Sequence, residues 1–209
     1  MKKMLFLSVF TILCSTLYAA EGDIVLPKPD LTGGKPFMQC VAERRTKRNF
    51  SAKSLPLQTV SEVLFVADGI TRKDGRKTVP TARNKQNQSV YAFTADGVYL
   101  YNAKKHQLVL KKTGDHRAVC GLQDFHKTAP LVLVFVSDMD AVGNTPVQQA
   151  IYAGNHSGSA SQNVYLYAAS KNLATVVCGL LDRKKIKKFL ELADNQMVIF
   201  SQPIAFPAE

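Results

Sequence analysis

Residues Leu131 to Ser137 read LVLVFVS, and every side chain ahead of the serine is apolar. Successive side chains of a strand point to opposite faces, so such a run has to be buried on both. A chain that contains it needs a sheet with cover above and below. Helical spacing elsewhere supplies the cover. Leu57, Val60, Val63, Leu64 and Ala67 recur at intervals of three and four, after a Ser54-Leu55-Pro56 start and ahead of an Asp68-Gly69 stop. Phe37, Val41 and Ala42 mark a shorter helix that is predicted to end in the basic run Arg44 to Arg48. A long helix is predicted from about Val147 to Asn172, with Gly154 to Gly158 as the place where it could break. Val90 to Phe93 and Val98 to Tyr101 flank an Ala95-Asp96-Gly97 turn and read as a hairpin, with Gln107 to Lys111 as a third strand. A short helix over Arg117 to Phe125, a strand over Ala174 to Leu180, a helix from an Asp182 cap to Leu192 and a last strand over Met197 to Ser201 complete the order. This is an α+β chain: a mixed sheet with helices packed over it.

The first twenty residues stand apart. Lys2 and Lys3, an apolar run from Met4 to Leu13, and small residues leading to Ala19 and Ala20 have the layout of a cleavable signal peptide. The apolar run is too short to span a membrane, so the expected location is secreted or periplasmic. Residues 21–36 carry Pro27, Pro29, Gly33, Gly34 and Pro36 and read as an irregular N-terminal arm. Residues 37–209 remain as one domain. Without Lys2 and Lys3 the charge is +9, from 25 basic and 16 acidic side chains. For an exported protein this suits an anionic small ligand or lipid better than nucleic acid. Cys40, Cys120 and Cys178 are an odd set, so at most one disulfide can form among them. Neither their spacing nor that of His106, His116, His126 and His156 fits a metal site. The four histidines read as surface or locally capped residues.

Three polar segments and one glycine invite a chemical reading. Arg44-Arg45-Thr46-Lys47-Arg48 concentrates cations beside a hydroxyl, as a phosphate site requires. If the run is helical, Arg44 and Arg48 share a face, although a solvated helix end would look the same. Pro80 to Gln86 has no apolar periodicity, and its amides Asn84 and Gln86 alternate. Asn84 can both donate and accept, as a reader of a flavin ring edge must, but a polar surface loop fits the same residues. Gln162 and Asn163 enter an apolar stretch, where a buried amide must find partners. Gly179 follows a buried strand and permits close approach of a flat ligand.

With these segments in this order, the chain resembles the nitroreductase superfamily, and most nearly its SagB/ThcOx-type flavin dehydrogenases, which include secreted members. The resemblance runs from about Phe37 to Pro207. Arg44 to Phe50 is similar to the family's Arg-Arg-Ser-x-Arg-x-Phe opening, and Val79 to Gln86 to its Pro-Ser-Ala/Ser-x-Asn-x-Gln loop. Ser161 to Leu166 resembles the central helix, and Asn172-Leu173-Ala174-Thr175 stands where Gly-Leu-Gly-Thr is usual. The resemblance implies a mainly antiparallel sheet flanked by helices, an intertwined homodimer, and FMN at the subunit boundary. It implies an FMN-dependent oxidoreductase passing hydride through flavin N5 to or from a small-molecule substrate, with NAD(P)H or another electron donor. The cofactor-binding positions it implies are Arg44, Arg45, Thr46, Arg48, Thr81, Ala82, Asn84, Gln86, Gln162, Cys178, Gly179 and Leu180. No side chain is singled out as catalytic. The chain departs from the pattern at Asn172, Ala174 and Ala205, where glycine is usual, and ends at Glu209 without the basic residues that many relatives carry there. These departures motivate an alternative: a protein that keeps the fold and binds a ligand without redox turnover.

Overall fold

In the computed structural model, which describes residues 22–208, the apolar run forms strand β5 (Leu131–Asp138) in the interior of a seven-stranded sheet. The expected signal peptide lies outside the described residues. The other strands are β1 (Ile24–Val25), β2 (Gln88–Phe93), β3 (Gly97–Asn102), β4 (Gln107–Thr113), β6 (Ala174–Thr175) and β7 (Gln196–Ala205), in the order β1-β4-β3-β2-β5-β7-β6. Each of the six pairings is antiparallel. The sheet is therefore not merely mainly antiparallel among the described residues; it has no parallel pair.

Alternation along β5 divides the core in two. Leu131, Leu133 and Phe135 pack with Val60, Val63, Leu64 and Ala67 of α2 (Leu57–Asp68) and with Ala160, Val164 and Ala168 of α4 (Pro146–Ser170). Val132, Val134 and Val136 face the other way, toward Ile186 of α5 (Arg183–Phe189) and Phe125 of α3 (Phe125–Thr128). All six of these β5 side chains are fully buried, as the sequence run requires.

Several boundaries differ from the sequence reading. The α4 helix runs unbroken through Gly154 and Gly158, and tertiary burial of its flank outweighs two poor helix formers. It ends at Ser170, and two residues further on Asn172, with φ of 56°, takes the left-handed conformation that closes many helices. Glycine is the usual residue there, and asparagine is the side chain that best tolerates the same conformation. The strand expected over Ala174 to Leu180 is reduced to β6 and an isolated bridge between Cys178 and Ser201. The last strand extends past Ser201 to Ala205. The helix expected over Arg117 to Phe125 becomes a 3-10 turn, Arg117–Val119, followed by α3. Asp182 caps α5 as expected, accepting from Lys185 N at 2.9 Å, but that helix stops at Phe189. Cys40, Cys120 and Cys178 are buried free thiols.

Candidate functional site

Helix α1 (Phe37–Glu43) stops one residue before the basic run. The expected helical face shared by Arg44 and Arg48 is therefore absent. Cations three and four apart would repel one another on a helix, and an extended backbone has better partners here. Lys47 N donates to Thr175 O at 3.1 Å, Ser51 N to Phe206 O at 2.9 Å, and Ala208 N to Asn49 O at 3.1 Å. Residues 44–51 thus lie against β6 and the C-terminal segment. Extension separates alternate side chains. Arg44 stacks on the Tyr165 ring of α4, its guanidinium carbon 5.2 Å from the centroid. Thr46 Oγ1 lies 3.0 Å from Tyr165 Oη. Arg48 comes within electrostatic reach of Cys178. Arg45 and Lys47 line a small recess with Glu43, Tyr165, Ala169 and Asn172.

The strip from Val177 to Leu180 completes this half of the site. Val177 N donates to Tyr165 Oη at 3.0 Å. Cys178 exchanges both backbone hydrogen bonds with Ser201, at 2.7 and 3.1 Å. Burial pushes the Cys178 thiol up to about 11, against the pull of the Arg48 cation, so the thiol stays protonated at neutral pH. A Cβ built on Gly179 would meet no atom within 4 Å, and its φ is not left-handed. Neither chain packing nor backbone conformation demands glycine there. Leu180, 62% exposed, offers an apolar surface beside it.

The second segment is a strained loop. Arg83, Asn84 and Gln86 have φ of 53°, 54° and 47°, conformations that side-chain-bearing residues adopt at a cost of order 1–3 kcal/mol each. The surroundings hold it. Gln86 N donates to Thr81 Oγ1 at 2.9 Å, and Gln86 Nε2 to Gly75 O at 3.0 Å and to Asn84 Oδ1 at 3.2 Å. Gln86 is thus a brace: it donates to the carbonyl oxygen of Asn84, whose side chain is exposed. Ala82 N donates to His156 Nε2 at 2.9 Å. Behind the loop, Lys77 pairs with the buried Asp68 at 2.6 Å.

His156 and Tyr165 were not singled out from the sequence. His156 is 2% exposed and His126 fully buried, which overturns the surface reading for both. His156 Nδ1 lies 2.7 Å from Asn87 Oδ1, and Asn87 Nδ2 donates to Ser137 Oγ at 2.6 Å. No signal in the sequence sets either apart, because an imidazole and an aromatic at buried positions of a long helix read as ordinary core. The amide pair on the same helix divides. Asn163 Nδ2 donates to Val66 O of α2 at 3.0 Å, a helix–helix hydrogen bond. Gln162 is exposed.

The two segments do not meet within the chain. One is anchored on His156 and the other on Tyr165, about 14 Å apart along the axis and two and a half turns round, hence on opposite flanks of α4. Val147, Ile151, Gly154, Gly158 and Gln162 form a stripe on the same side of α4 as Tyr165, exposed at Val147, Ile151 and Gln162 and half-buried at the two glycines. Val147 and Ile151 are 68% and 62% exposed, and a Cβ on either glycine would meet nothing within 4 Å.

Fold and residues together define an antiparallel α+β protein with an arginine–hydroxyl cradle against one sheet edge and a braced amide loop on the far flank of its central helix. The Nitroreductase family profile matches residues 41–204, and the chain belongs to that family. The candidate nitroreductase MJ1384 of Methanocaldococcus jannaschii is 29% identical over 168 residues, covering 75% of this chain and 85% of its own. The crystal structure of a candidate nitroreductase from Ralstonia eutropha JMP134 matches at 35% identity with a TM-score of 0.84, covering 90% of each chain. A chain of the E. coli microcin synthetase McbBCD complex shares the fold at 17% identity, with a TM-score of 0.66 over 88% of this chain and 78% of that one. Family membership sets the general class of activity, a flavin-type oxidoreductase.

Proposed function

We propose that this protein is an FMN-dependent oxidoreductase, most similar to the SagB/ThcOx-type dehydrogenases, that works outside the cytoplasm as a homodimer. The observation that carries the reading is the meeting of Arg44 and Thr46 at Tyr165, whose hydroxyl also holds Val177 N in the strip leading to Gly179. The residues fit the cofactor. Arg44 and Thr46 meet at Tyr165 and would take the phosphate, whose oxygens favour a guanidinium fork and a hydroxyl. Arg48, within electrostatic reach of Cys178, would face the pyrimidine edge, where a cation stabilises charge developing on reduction. The open Cβ position of Gly179 leaves room for a flat ring to approach the backbone. Bound there, FMN supplies hydride transfer at N5, to or from a small organic substrate.

The same geometry favours a dimer. Asn84 is exposed and lies too far along α4 to serve the Arg44–Arg48 cradle of its own chain. A second copy packed on the Val147–Gln162 stripe of α4 would bring its Thr81–Gln86 loop to this cradle, with Gln162 at the boundary. Purification with and without added FMN tests the proposal, read by absorption spectrum and thermal unfolding. Yellow protein whose flavin bleaches with a reductant is expected. Protein that stays colourless with FMN and shows no thermal shift overturns the reading and favours a ligand-binding protein without redox turnover.

A further inference from the structure

Tyr165 joins three separate parts of the cradle. Its ring lies under Arg44, its hydroxyl lies 3.0 Å from Thr46 Oγ1, and the same oxygen accepts from Val177 N at 3.0 Å. Those parts come from the turn after α1, the extended basic segment and the strip before Gly179, whereas Tyr165 comes from α4. Either oxygen could donate across that contact, and the proton inventory favours one direction. A tyrosine hydroxyl has one hydrogen and can accept through its lone pairs. Val177 N–H occupies one of those lone pairs. Tyr165 is 7% exposed, and Thr46 Oγ1 is the acceptor within reach of its one hydrogen. If Thr46 donated instead, the Tyr165 hydrogen would have no acceptor in the chain among the described residues.

We propose that Tyr165 is the positioning residue of the cofactor cradle: it donates to Thr46, and thereby turns the Thr46 hydroxyl hydrogen outward as a donor to an anionic oxygen of the cofactor phosphate. The polarity runs one way, from Val177 N–H to Tyr165 O–H to Thr46 O–H and out to the ligand. Tyr165 itself touches no ligand. Without its hydroxyl, Thr46 is free to turn its hydrogen away, and Val177 N–H loses its acceptor. The inference rests on the FMN reading above, and the experiment separates the two.

The protein is titrated with FMN and with riboflavin, which has the ring but no phosphate, by flavin fluorescence, in wild type, Tyr165→Phe, Thr46→Val and the double variant. Tyr165→Phe keeps the ring beneath Arg44. It is expected to weaken FMN about tenfold, or about 1.4 kcal/mol, and to leave riboflavin unchanged. Thr46→Val, at an exposed position, is expected to do the same, and the double variant to be no worse than either, because both remove one shared link. Equal FMN affinity in wild type and Tyr165→Phe, a matching loss of riboflavin, or additive losses in the double variant overturns the role of Tyr165 and leaves the FMN reading standing. Should Tyr165→Phe fail to fold, Thr46→Val decides: an FMN loss with riboflavin spared supports the outward donor, and unchanged FMN affinity overturns it. Wild-type protein that binds neither flavin overturns both proposals.

Discussion

A neutral imidazole at His156 is what allows the amide loop its shape. Nε2 accepts from Ala82 N, so Nδ1 carries the hydrogen and donates to Asn87 Oδ1, and Asn87 in turn donates to Ser137. A second proton on the ring would face the Ala82 N–H with another N–H. Burial already holds the His156 pKa below its ordinary value. An unfolded chain takes up that proton near pH 6.5, and the folded protein resists it until lower pH. The unfolded state therefore binds more protons as the solution acidifies. The stability that His156 contributes is complete above pH 6.5 and is lost as pH falls below it, by up to about 1.4 kcal/mol per pH unit. His106 and His126 are lowered by burial too and add to the same trend. The expected result is a urea midpoint that drops between pH 7.5 and pH 5.5, and drops less in His156→Gln, which keeps an acceptor for Ala82 but does not titrate. Identical pH dependence in the two proteins would show that His156 is not among the groups responsible.

At the scale of elements, α4 poses the clearest question, because it keeps two glycines where a helix wants neither. Each costs about 1 kcal/mol relative to alanine, and neither is required by contacts within the chain. A partner backbone packed closely on that face, as in the proposed dimer, would account for both. Gly158→Leu should therefore leave the monomer folded and its circular dichroism unchanged, yet halve the mass seen by light scattering and abolish FMN binding. A Gly158→Leu protein that remains dimeric and yellow would place the interface elsewhere. The α2 and α4 helices and strand β5 were legible in the sequence because each buries a face with its own period. The basic segment was not, because its conformation is set by Thr175, Phe206 and Ala208, residues more than a hundred positions away. The candidate site shows the same division. Arg44, Thr46, Arg48 and Asn84 could be found from residue type and order. Tyr165 and His156 could not, since an aromatic and an imidazole on the buried flank of a helix look like ordinary core.

For the molecule as a whole, the two-sided core predicts how the thiols behave. Cys120 is fully buried and Cys40 and Cys178 are 5% and 4% exposed. Burial raises the Cys120 thiol well above its usual value, as it does Cys178. A thiol-specific dye should find these three cysteines unreactive in the native protein and all of them reactive in denaturant; fast modification before unfolding would contradict the burial. The sheet order has a further consequence, for synthesis. Strand β7 lies between β5 and β6, and residues 206–208 pair with Asn49 and Ser51 beside the arginines. One interior strand of the sheet thus comes from its last segment in chain order. Until Ala208 has emerged, β5 has an open edge and the basic segment lacks its C-terminal neighbours. A nascent chain can therefore be kept unfolded, and free of cofactor, until translation has passed that residue.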